Sequence, residues 1–186
     1  MTKPGKSKLE DLNKAIKVLK NGGVIIFPTD TVYGIGCKWD NLSAIARIKN
    51  IKSSTQDFPM LVNTIGQANS IAHITPEALQ LINKYWPGGL TILVKSKIND
   101  KKIGIRMPAS EDVKYIIETL GSPIVGTSAN FHGHKAPTKF ENINPLFRKL
   151  ADYVIKGECK EGKESTVIDT TVSPTKILRR GAVTIS

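Results

Sequence analysis

The sequence predicts an α/β fold, and three observations carry that reading. Segments with helical spacing alternate with short apolar runs. Several of the runs stop abruptly at glycine, hydroxyl or amide residues. Extended segments crowd the C-terminal part, which argues against a purely parallel, doubly wound sheet.

Taken in order, residues 7–23 (SKLEDLNKAIKVLKNGG) put Leu9, Leu12, Ile16 and Leu19 on one helical face. Ser7 and Glu10 have capping-box spacing, and Gly22 supplies a stop. Residues 24–27 read as a buried strand that ends at Pro28, which has no N–H for a ladder. A helix is expected over 41–50 and a short strand over 60–63. Thr75 and Pro76 open another helix as N-cap and first helical residue. Strands follow at 90–95 and 103–107, then a helix over 110–120 and a strand over 123–128. The remaining extended stretches are 152–155, 165–169, 176–179 and 182–185. With no repeat, low-complexity tract or linker, one domain over 8–186 is expected.

A chain of 186 residues is long enough to bury a sizeable core. Its 40% hydrophobic and 23% charged residues are ordinary for a soluble globular protein. No apolar run approaches the roughly 20 residues of a membrane span, and the first residues lack the apolar core of a signal peptide. Cys37 and Cys159 stand alone and far apart, so neither a disulfide framework nor a zinc site is suggested. The cytoplasm is the expected location. Lys and Arg number 27 against 16 Asp and Glu, a net charge of +11. That excess attracts nucleotides, pyrophosphate or an RNA backbone, although lysines scattered this way also suit a merely solvated surface.

The strand ends carry the chemistry. FPTDTVYGIG (27–36) runs straight into Thr29, Asp30, Thr31 and Tyr33; GIRMP (104–108) ends on Arg106; IVGTSANFHG (124–133) ends on Ser128 and Asn130. In α/β sheets ligands sit beyond strand ends, where backbone amides and short side chains converge. On extended backbone Ser128 and Asn130 point the same way, and Arg106 is suited to a carboxylate or phosphate. Each segment by itself also fits an ordinary turn.

Other chemistries fit poorly. VGTSAN lacks the closing glycine of a nucleophile elbow. His132 and His134 have no further ligand spacing, so no metal site is expected. Cys37 reads as a buried thiol rather than a nucleophile. Walker A and G-x-G-x-x-G loops are missing from the sequence, and Trp39 and Trp86 read as packing residues.

FPTDTVYGIGC, WPGGLTILV, IGIRMP, TSANFHGHKAPT and STVIDTT…KILRRGAVT, in that order, resemble the signature segments of the YrdC family of threonylcarbamoyl-AMP synthases, in its short single-domain form. The resemblance runs from about residue 8 to 185. It implies a twisted mixed α/β sheet with flanking helices around a basic concave cavity. It also implies a reaction, in which L-threonine, bicarbonate and ATP give threonylcarbamoyl-AMP and pyrophosphate. Partner proteins then pass the group to the adenosine beside the anticodon of tRNAs reading codons that begin with A.

By the same resemblance, Thr31, Tyr33, Arg106, Ser128 and Ser165 are expected to hold L-threonine, with Arg106 on its carboxylate. Lys52, Ser54, Asn130, Thr138 and Arg179 are expected on the ATP side. Lys52, Ser128 and Asn130 are the expected catalytic residues, and Mg²⁺ is expected only as carried by the triphosphate. No covalent nucleophile is required, because the carbamate formed on the threonine amine attacks the α-phosphate.

One segment departs from the family pattern of lysine-x-arginine, a spacer, then proline. In IKSSTQDFPMLVN (51–63), aligning on Pro59 makes Lys52 the lysine and puts Ser54 where arginine belongs. Phe58 takes a polar position, and Asn63 stands where some relatives have histidine. A lost guanidinium near phosphate removes a contact worth about 1.5–3 kcal/mol. Lys49 or Lys102 are candidates to compensate, and a shifted alignment would make Lys49 the lysine. The competing expectation is a catalytically impaired module that binds RNA or nucleotide directly.

Overall fold

The computed structural model describes residues 6–99 and 101–185, so the expected domain is described save for residues 100 and 186. The chain opens with α1 (Lys6–Lys20), whose Leu12, Ala15, Ile16 and Leu19 are buried. Ser7 lies inside this helix rather than at its N-cap, so the capping box expected there is not formed as such. Gly22 does stop it. With φ +81°, its N–H donates to Leu19 O and that of Gly23 to Val18 O, satisfying the terminal carbonyls.

Next come β1 (Ile25–Phe27), β2 (Gly34–Lys38) and α2 (Leu42–Lys52), the last N-capped by Asn41. Then follow β3 (Met60–Leu61), α3 (Ile65–Ile71) behind a Thr64 cap, and β4 (Ala72–His73). Thr75 caps α4 (Pro76–Tyr85) as expected, ahead of β5 (Leu90–Ser96) and β6 (Lys102–Arg106). Ser110 caps α5 (Glu111–Leu120), and β7 (Ile124–Ser128) follows. A 3₁₀ turn (Phe140–Asn142) and α6 (Pro145–Arg148) lead to β8 (Tyr153–Val154), β9 (Thr166–Asp169) and β10 (Lys176–Arg179). Residues 182–185, expected as a strand, are irregular; Ala182 N–H donates to Glu164 O and Val183 N–H to Thr166 Oγ1, so no ladder forms.

Among the described residues the strands form one mixed sheet, in the order β10-β9-β5-β6-β3-β7-β2-β1-β8, with β4 on β5. The pairs β1–β8, β3–β6 and β5–β9 are parallel and the others antiparallel. Alternation divides the side chains of β1 between two layers. Ile25 and Phe27 pack with α1 and α5, while Val24 and Ile26 pack with Ala44 and Ile48 of α2 and Phe147 of α6. Helices α3 and α4 cover Ile92, Val94 and Ile105. On the face shared by Phe27, Leu61, Thr91 and Arg106, α1 and α5 cover only part of the sheet, and the uncovered part is the site.

Candidate functional site

The uncovered part is a cavity of about 840 Å³. Its floor is one sheet face: Thr91 and Leu93 of β5, Gly104 and Arg106 of β6, Leu61 of β3, Gly126 and Ser128 of β7, Gly34 of β2. The glycines make the hollow. A Cβ on Gly34 would lie 3.2 Å from the Phe27 ring, and one on Gly126 would lie 3.0 Å from Leu61 Cδ1. Side chains at these positions would raise the floor into the space a ligand needs.

At one end, the segment leaving β1 is tied into a knot. Thr29 Oγ1 donates to Val32 O (2.7 Å) and accepts from the N–H groups of Thr31 (3.1 Å) and Val32 (3.3 Å). Its hydroxyl also meets Thr31 Oγ1 at 3.0 Å. This local bonding positions Thr31 against Arg106, whose Nη1 donates to Thr31 Oγ1 (2.8 Å). Arg106 Nη2 donates to Asp30 Oδ1 (2.6 Å) and Nε to Gly88 O (2.9 Å). Burial, the largest influence, lowers the pKa of Arg106, and Asp30 opposes that shift. Three of the five guanidinium N–H bonds are thereby committed, and the other two keep their donor capacity.

At the other end, α2 finishes on Lys52, and Ser53 turns the chain in the left-handed region at φ +48°. The Lys52 ammonium donates to Ser128 O (2.8 Å), Asn130 O (2.5 Å) and Asn130 Oδ1 (2.9 Å). Burial brings its pKa down to about 8. The backbone bends after Ser128, so extended geometry does not align Ser128 with Asn130. Lys52 gathers them, and Asn130 Nδ2 donates onward to His134 O.

A third group closes the wall opposite. Ser165 Oγ meets Thr91 Oγ1 at 2.9 Å, an encounter set by the parallel pairing of β5 with β9. Arg179 donates to Ser165 O (3.0 Å) and Ser165 Oγ (3.1 Å), and its Nη1 lies 3.4 Å from Glu164 Oε1.

Thr31, Tyr33, Lys52, Ser54, Arg106, Ser128, Asn130, Ser165 and Arg179 therefore line one cavity. Tyr33 lines it without offering a free side chain: the ring is fully buried with Val24, Ile26 and Ile35, and its hydroxyl donates to Gly157 O (2.7 Å), with Ile155 O at 3.2 Å. Thr138, expected on the ATP side, is not among the residues that line the cavity. Its carbonyl accepts from Cys159 N–H, beside the bridge between Lys139 and Glu158 that ties this stretch to a neighbouring loop. Lys52, not Lys49, faces the site; Lys49 pairs with Asp57 at 2.7 Å. Lys102 pairs with Asp169 at 2.9 Å and does not line the cavity. Phe58 lines it, and Asn63 does not. Sequence reasoning passed over Thr91 and Glu164, and it gave His132 and His134, which also line the cavity, no ligand role. A polar residue inside the apolar run of β5 was the available signal for Thr91.

Cys37 is fully buried, which pushes its thiol up to about 12 and makes it inert. Among the described residues there is no cluster of three His, Cys, Asp or Glu able to hold a metal, and no helix long and apolar enough to cross a membrane.

The model of the Sua5/YciO/YrdC family, which carries the description telomere recombination, matches residues 17–181. The threonylcarbamoyl-AMP synthase of Pyrococcus abyssi is 33% identical over 177 residues, 89% of this chain and 52% of that protein. The chain thus spans about half the length of that relative. The uncharacterised protein YciO of Escherichia coli is 28% identical over 182 residues, 91% of this chain and 88% of YciO. The crystal structure of P. abyssi Sua5 complexed with L-threonine superimposes with a TM-score of 0.85 at 31% identity, covering 91% of this chain and 54% of that one. With a family match across most of its length and the same fold as a solved member, the chain belongs to the Sua5/YciO/YrdC family.

Proposed function

We propose that this protein is a threonylcarbamoyl-AMP synthase, a nucleotidyltransferase acting on L-threonine, bicarbonate and ATP. One observation carries the reading: a single cavity holds a buried guanidinium with spare donors at one end and the Lys52–Ser128–Asn130 cluster at the other. The first suits an amino-acid carboxylate, and the second suits a nucleotide. The names of the relatives and the threonine-bound Sua5 structure support the same assignment.

The threonine carboxylate takes the two free N–H bonds of Arg106, beside Thr31 and Ser165. Its amine, once deprotonated, bonds to the carbon of bicarbonate and water leaves, giving a carbamate. A carbamate oxygen then bonds to the α-phosphorus as the bond to the pyrophosphate oxygen breaks. The chain's part is to position the reactants and stabilise charge. Lys52 and Arg179 supply positive potential along the phosphates, and Asn130, fixed by Lys52, supplies an oriented amide. Mg²⁺ enters as part of the ATP substrate, carried on the triphosphate. The product serves downstream proteins that modify tRNA in the cytoplasm.

The test is pyrophosphate release by the purified protein with ATP and bicarbonate, with and without L-threonine. Threonine-dependent release, with the adenylate seen by mass spectrometry, supports the synthase. Ser54 favours a second reading, a module that binds nucleotide or RNA without making the adenylate, since it leaves the phosphate end one guanidinium short. Retained RNA binding without threonine-dependent release would select that reading.

A further inference from the structure

We propose that Glu164 receives the α-ammonium group of the amino-acid substrate and so selects an α-amino acid over its α-hydroxy counterpart. The inference rests on the synthase reading above. A zwitterionic substrate brings an ammonium group as well as a carboxylate, and the cavity is lined by Lys52, Arg106 and Arg179, which repel it. Two acidic residues line the same space, Asp57 and Glu164. Asp57 is the poorer partner: its carboxylate is 67% exposed and lies 2.7 Å from the Lys49 ammonium.

Glu164 is fixed on the wall of this cavity by its neighbours. Arg179 spans it and Ser165, with Nη1 3.4 Å from Glu164 Oε1 and Nη2 3.1 Å from Ser165 Oγ. The two adjacent nitrogens of one guanidinium thus put the carboxylate beside a hydroxyl on the wall of the cavity that Arg106 also lines. Its backbone is fixed as well. Glu164 O accepts from Ala182 N–H at 2.8 Å, and a Cβ on Gly181 would fall 2.1 Å from that oxygen, so only glycine permits the approach. Its carboxylate also acts across the cavity, partly opposing the lowering that burial imposes on Lys52. A carboxylate at 3.4 Å from one guanidinium nitrogen keeps acceptor capacity for a second cation.

The experiment is calorimetric titration of the whole protein and of Glu164→Gln with L-threonine and with the analogue in which a hydroxyl replaces the amine. Glu164→Gln keeps an oxygen for Arg179 and removes the charge. It is expected to weaken L-threonine at least about tenfold, the scale of a charge-assisted hydrogen bond, and to leave the hydroxy analogue unchanged. Glu164→Asp, charged but shorter, is expected to fall between the two, and it serves if the glutamine variant does not fold. Equal loss for both ligands, or no loss, overturns the inference. A gain in ATP affinity with unchanged threonine affinity also overturns it, reducing Glu164 to a brace for Arg179. Wild-type protein that binds L-threonine but does not prefer it to the hydroxy analogue overturns the inference alone, whereas protein that binds neither overturns the synthase reading with it.

Discussion

The Lys52 ammonium lies 2.9 Å from Asn130 Oδ1, and its other two donors are spent on the carbonyls of Ser128 and Asn130. No N–H is left over, so in the proposed nucleotide site Lys52 acts through its charge and through the geometry it imposes on 128–130. Burial lowers its pKa from 10.5 to about 8. Above that pH the amine is neutral, one hydrogen bond is lost and the field weakens. ATP affinity is therefore expected to fall as pH rises through about 8, and to stay flat over that range in Lys52→Arg. Stability moves the other way. Between about 8 and 10.5 the unfolded lysine still holds its proton while the folded one has released it, so this group's contribution to stability rises across that window. Calorimetric ATP titrations and urea unfolding as functions of pH check both signs; a flat wild-type binding profile would contradict the role.

Arg106 is a structural group as well as the proposed carboxylate-binding one, and a single substitution mixes the two. Its Nη2 is 2.6 Å from Asp30 Oδ1, and both side chains are almost fully buried. Arg106→Ala strands the carboxylate and is expected to cost about 3–5 kcal/mol of stability. Adding Asp30→Asn should recover part of that stability and none of the threonine binding. Nucleotide affinity, read at the Lys52 end, is expected to persist in the double variant. Equal loss of threonine and ATP binding in a folded double variant would contradict the division of the cavity.

How much of this was legible in the sequence depends on how far each contact reaches. Thr31, Arg106 and Ser128 could be singled out because each lies at or just beyond the end of an apolar run, and alternation sends such residues to one face. Strand β2 was hidden because Gly34 and Gly36 read as turn residues. Their role is steric: a Cβ on Gly36 would sit 2.2 Å from Val125 O across the sheet. The caps at Thr64 and Asn144 could have announced α3 and α6, but both helices are short and carry little periodicity. Thr91 and Glu164 gain their meaning from the β5–β9 pairing and the crossing of 164 by 181–182, contacts between distant segments that no local pattern encodes.

Gly104 allows the shape of the cavity to be tested apart from its charges. It pairs with Leu93 on the floor, and a Cβ there would meet Leu93 Cδ2 and Pro59 at an ordinary 3.4 Å. Gly104→Ala is therefore expected to be tolerated, with a gain of about 0.5–1 kcal/mol from the lost flexibility of glycine in a strand. Gly104→Leu would project a side chain into the cavity. It should keep the protein folded, as judged by thermal unfolding, while weakening ligand binding. Undiminished binding in the leucine variant would show that ligands do not reach this part of the floor.

Ser54 is the place to ask whether the phosphate end is short of charge. It lines the cavity two residues beyond Lys52, and its hydroxyl accepts from Gln56 N–H at 3.2 Å, a weak local bond whose loss costs little. Neither lysine considered as a substitute serves: Lys49 is held by Asp57 and Lys102 by Asp169, outside the cavity lining. Ser54→Arg would place a guanidinium on the wall next to Lys52. A new charge-assisted contact of about 1.5–3 kcal/mol corresponds to a gain in ATP affinity of at least about tenfold. The competing fate of the new side chain is capture by Asp57, which lines the same wall. Ser54→Arg with Asp57→Asn removes that trap, so the double variant should bind ATP at least as tightly as the single one. If neither variant gains affinity, the phosphates do not pass this wall, and Arg179 with Lys52 must carry them.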